Sequence, residues 1–69
     1  MSQKERSTKD IRVRLTGEDG NVFSIVGRVK SALRQAGFND EADEFVRTAF
    51  GAGSYDEVLM LCMETVTVL

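Results

Sequence analysis

Residues 17–21 (GEDGN) and 51–54 (GAGS) each run straight into a helix start. Backbone N–H groups at a helix N-terminus, flanked by small residues, can hold an anion. With elements running up and down, both loops reach one end of the molecule. The site expected there is a phosphate-binding one, built from Gly20, Asn21, Gly53, Ser54 and Tyr55, with Arg12, Arg14 and Arg28 adding charge. Glu18, Asp19, Asp56 and Glu57 put negative charge at the same end, and neither loop carries the phosphate-loop or dinucleotide fingerprint. Turn and capping chemistry is the competing reading of both loops.

No catalytic residue is assigned. Histidine is absent, which removes the commonest general base and zinc ligand. The single Cys62 lies in an apolar helix, where a small buried hydrophobe is the simpler role. Ser54 sits in GAGSYD rather than a nucleophile elbow, and capping accounts for it. Asp40, Glu41, Asp43 and Glu44 complement the positive end of a helix, and their spacing is not that of a calcium loop. The chain is therefore read as non-enzymatic, with no metal and no cofactor.

The elements that would position these residues follow from periodicity. Residues 1–10 are polar and read as a flexible tail; residues 11–69 form one small domain. Residues 11–16 alternate, with Ile11, Val13 and Leu15 inward and Arg12 and Arg14 outward. Asn21 caps a helix over about residues 22–36, whose buried stripe is Val22, Ile25, Val26, Val29, Leu33 and Ala36. Ser24, Arg28, Ser31 and Gln35 line its opposite side. Gly27 interrupts it, which suggests another backbone passing close by. Gly37 ends it in a left-handed turn with Phe38 as the following hydrophobic contact.

A second helix, capped by Asn39 or Asp40, runs to about Phe50 and buries Ala42, Phe45, Val46, Ala49 and Phe50. The third opens on a Ser54–Glu57 capping box and continues to Met63 or Glu64. Residues 65–69 (TVTVL) alternate and read as a strand. The fold class is α+β, in the order β-α-α-α-β: two short strands with three helices packed on one face. Three helices between two strands favour a parallel pair.

Size and charge add two expectations. A chain of 69 residues is near the lower limit for a self-sufficient core. Residues 58–63 are apolar nearly all round, so a homo-oligomer is expected through Met60, Leu61, Met63, Val66 and Val68. The net charge of −2 divides into +4 over residues 1–36 and −6 over residues 37–69. That polarity can orient head-to-tail contacts or present a basic patch to an anion. The basic strand and tail also make a nucleic-acid-binding regulator the alternative function, against a pI near 5.0 and no stacking aromatics. No apolar run spans a membrane and no leader is visible in residues 1–10, so the expected location is cytoplasmic.

Asp19-Gly20-Asn21-Val22-Phe23, then Ile25, Gly27, Ala32-Leu33, Ala36-Gly37 and Gly53-Ser54-Tyr55-Asp56, form a DGN-x-F…AL-x-x-AG…GSYD pattern. Over residues 11–69 the chain resembles an uncharacterised small-protein family of phages and mobile elements. The resemblance implies an accessory, viral-type protein. Such proteins often bind and block a host component, or sequester nucleotide signals of antiviral defence as small oligomers. It supplies no catalytic residues.

Overall fold

Two strands that begin and end the fold lie side by side in the computed structural model, which describes residues 7–15 and 21–69. The order is β1 (Arg12–Val13), α1 (Val22–Gln35), α2 (Asn39–Phe50), α3 (Tyr55–Thr65) and β2 (Thr67–Val68), preceded by a 3-10 turn at Thr8–Asp10. This is the β-α-α-α-β arrangement read from the sequence. The strands are parallel, with Arg12 opposite Thr67 and Val13 opposite Val68. Of the loop at 17–21, Asn21 alone is described. Gly20, like residues 1–6, lies outside the described residues.

The core is built from the expected stripes. Ile25, Val26, Val29 and Leu33 of α1 meet Ala42, Phe45 and Ala49 of α2, Val58 and Cys62 of α3, and Val13 and Val66 at the ribbon. Val22 and Ala36, at the two ends of the α1 stripe, are half-buried. Removing each large apolar side chain from water contributes about 1.5–3 kcal/mol, set against the entropy of ordering the chain.

The α1 terminus follows the sequence signal closely. Gly37 has φ 92°, its N–H donates to the Arg34 carbonyl at 3.0 Å, and the Phe38 N–H donates to that of Leu33 at 2.8 Å. This is a Schellman turn. It also corrects the expected cap of α2. Phe38, not Asn39 or Asp40, holds the N-cap position and has no side-chain cap bond. The turn leaves its carbonyl ready to accept from Ala42 N–H at 2.9 Å, so α2 starts one residue early. Asp40 and Glu41 then fall in its first turn, where the dipole favours their charge.

Several other expectations are corrected. Phe50 is 55% exposed: at the last position of α2 it swings outward and packs against Phe23 in a tilted pair, ring centroids 5.6 Å apart. Val46 is half-buried. Thr65 ends α3 rather than opening a strand, because its hydroxyl donates back to the Leu61 carbonyl at 2.7 Å. Gly27 is not a point of close approach, since a Cβ built there meets nothing within 4 Å.

The segment before β1 is also more structured than its polarity suggested. Ser7 and Asp10 form a capping box around the 3-10 turn. The Lys9 ammonium donates to the carbonyls of Met63 and Val66 at the end of α3, and the Thr67 hydroxyl donates to the Lys9 carbonyl at 2.5 Å. No helix among the described residues is long and apolar enough to cross a membrane.

Candidate functional site

Alternation along β1 and the helical period of α1 together make one groove. Val13 is buried, which turns Arg12 and Arg14 outward. On α1 the buried stripe faces α2 and α3, so Ser24, Gly27, Arg28, Ser31 and Gln35 lie on the other side of the helix. The groove between them has a volume of about 580 Å³, with Val13 and Ala32 completing its wall. At 1.5 Å per residue, its α1 wall runs for roughly 16 Å.

The lining holds, among the described residues, three guanidinium groups, two hydroxyls and one carboxamide, and no carboxylate. Among the described residues, Arg34 pairs with Asp43 at 3.4 Å, whereas the side chains of Arg12, Arg14 and Arg28 make no hydrogen bond or ion pair. Planar guanidinium groups suit bidentate contact with phosphate oxygens, and serine hydroxyls can donate to the same atoms. Gly27 leaves the helix backbone bare in this wall, although glycine inside a helix costs roughly 1 kcal/mol against alanine. No packing partner requires it.

The residues named from sequence divide into two groups. Arg12, Arg14 and Arg28 meet in the groove, while Asn21, Gly53, Ser54 and Tyr55 are absent from its wall. Asn21 caps α1, its side-chain oxygen accepting from Phe23 N–H at 2.9 Å. Ser54 Oγ accepts from Glu57 N–H at 3.2 Å, and Glu57 Oε1 accepts from Gly53 N–H at 2.8 Å. The carboxylate arm of the capping box thus reaches Gly53 rather than Ser54. It occupies the very donor an anion would use. Tyr55 is half-buried against the core. The tilted Phe23–Phe50 pair does bring the start of α1 to the end of α2, as up-and-down packing requires.

Ser24, Ser31 and Gln35 were visible in the sequence as the outer side of the first helix. Their link to Arg12 and Arg14, in and just after β1, was not, because it depends on how strand and helix pack. Gly27 gave the one available signal, a costly residue on an outer face with no packing need.

A second, acidic groove follows α2 and α3. Two adjoining hollows of about 350 and 290 Å³ share Thr48, Leu61 and Glu64. Glu57 and Met60 border the first, and Glu41 and Glu44 the second; among the described residues neither has a lysine or arginine in its wall. Met60 and Met63 are 56% and 52% exposed, and Leu61 and Val68 are half-buried. Val66 departs from the expected interface set. As the C-cap residue of α3 it points inward and is fully buried in a single copy. Cys62 is likewise buried, and burial pushes its thiol pKa up against a smaller opposing backbone hydrogen bond. A buried, un-ionised thiol is a poor nucleophile.

Set against models of known families, curated proteins and solved structures, the chain matches none of them.

Proposed function

We propose that this protein is a small, non-enzymatic binding module that holds a phosphate-bearing, nucleotide-type anion in the groove between β1 and α1. The observation that carries the reading is the convergence of Arg12, Arg14 and Arg28 on a wall that has no carboxylate among the described residues. Gly27 supports it, since a bare backbone lets a ligand approach closely. The resemblance to small proteins of phages and mobile elements gives the module a setting: stoichiometric sequestration of a host nucleotide signal, in a counter-defence role.

The test is a thermal-shift and calorimetric panel of cyclic and linear nucleotides, inorganic phosphate and a short single-stranded DNA. A ligand that fits raises Tm with concentration, by the equivalent of about 2.7 kcal/mol at a hundredfold excess over Kd. Arg28→Gln and Arg12→Gln should each weaken that response. A flat panel, or one unchanged by both substitutions, overturns the reading. Binding confined to the DNA, with a steep salt dependence, would instead favour the nucleic-acid regulator.

A further inference from the structure

Charge in this fold is segregated by element. Helix α1 carries Arg28, Lys30 and Arg34 and no acid, and β1 adds Arg12. Helices α2 and α3 together carry seven carboxylates and only Arg47. The two grooves share no residue, and the buried stripe of α1 turns toward the acidic helices, away from the arginine groove. One copy therefore presents two surfaces of opposite sign.

We infer that the acidic α2–α3 groove docks the basic β1–α1 face of a second copy, giving head-to-tail self-association. Glu44 and Glu64 of one copy meet the arginines of the next, over the exposed Met60 and the half-buried Leu61. An arrangement of like copies through one shared patch would place carboxylate against carboxylate, which is repulsive. A contact between unlike surfaces repeats until a ring closes or a chain grows. Methionine suits such a seam because its flexible thioether fills irregular gaps. The inference uses the same arginine groove as the proposed function but not its occupation by phosphate. A bound anion would compete with the second copy for the same guanidinium groups.

The experiment is light scattering on the full chain and two charge-reversed variants. The basic-face variant is Arg14→Glu with Arg28→Glu; the acidic-face variant is Glu44→Lys with Glu64→Lys. All four positions are exposed, and circular dichroism verifies that each variant folds. The wild type should at least double its average mass above the 7.6 kDa single chain at low salt, and lose the increase at high salt. Each variant alone should remain single. Mixed in equal amounts, they should assemble again, since the native acidic groove of one meets the native basic face of the other and the two reversed surfaces are complementary as well. If either variant fails to fold, the salt response of the wild type and the neutral pair Arg28→Gln and Glu64→Gln decide the matter. Wild type that stays single at low salt overturns the inference, as does assembly surviving both reversals. Inorganic phosphate separates the two proposals. Assembly that phosphate leaves intact supports docking and counts against the anion reading, whereas ligand binding without assembly does the reverse.

Discussion

The Lys9 ammonium lies 3.1 Å from the backbone carbonyl oxygen of Val66 and also reaches that of Met63. Helix α3 has no basic residue in its last turn, and Lys9 supplies that charge from far along the chain. A cation at a helix C-terminus interacts favourably with the exposed carbonyls and the dipole. Lys9→Met keeps the aliphatic stem and removes both hydrogen bonds. It should cost about 1 kcal/mol, reduced by solvent screening because Lys9 is exposed. In a domain of this size that lowers Tm by roughly 4–8 °C. Lys9→Arg should recover most of the loss. Thermal melts of the three proteins at low and high salt check both points.

Two glycines should respond to alanine with opposite signs. At Gly27 the added Cβ meets open space, so Gly27→Ala should stabilise α1 by about 1 kcal/mol. At Gly37 the left-handed φ of 92° strains any L side chain, and Gly37→Ala should destabilise by about 1–2 kcal/mol. Urea denaturation of both variants reads the difference directly. Gly27→Leu is the functional counterpart. It should fold, yet fill the groove wall and abolish the ligand-induced rise in Tm.

Leu33 is fully buried among the helices. Leu33→Ala leaves a cavity and should cost about 2–5 kcal/mol. A single core of this size supplies only about 3–5 kcal/mol in total, so the variant should be largely unfolded at 25 °C. A cooperative melt close to that of the wild type would show stability drawn from another source, above all from association. Far-UV circular dichroism at low protein concentration makes the measurement.

Cys62 should be protected from thiol reagents in the native state and react rapidly in denaturant. Its folded pKa is raised by burial. The contribution to stability is therefore fully present below the ordinary thiol pKa and declines as pH rises through it, because the unfolded thiol ionises first. Cys62→Ala should remove that alkaline decline, at the cost of a small cavity. Urea midpoints on either side of the thiol range test the sign.

Much of this architecture was legible in the chain. The apolar stripe of α1, the Gly37–Phe38 turn and the alternation around Val13 are local signals, set by residues within a few positions of one another. What escaped depends on distance. The Lys9 clamp joins a polar segment to carbonyls at the other end of the chain, and nothing in that segment advertises the match. Phe50 satisfies the α2 period, yet the helix ends there and the ring finds Phe23 instead of the core. Asn39 and Asp40 are good capping types, but the preceding Schellman turn had already chosen Phe38. For the candidate site, charge type singled out the three arginines. Only packing showed that they share a groove with α1 rather than with the loop at Gly53 and Ser54.

The bond from the Thr67 hydroxyl to the Lys9 carbonyl joins positions 58 apart, and the Leu69 N–H closes on the Val13 carbonyl. During synthesis the helices can coil as soon as their own residues emerge. The clasp cannot shut until Thr67 and Leu69 have left the ribosome. Until then Val13 and Val66 have no common shelter, and the half-made protein shows water the greasy underside it will later hide.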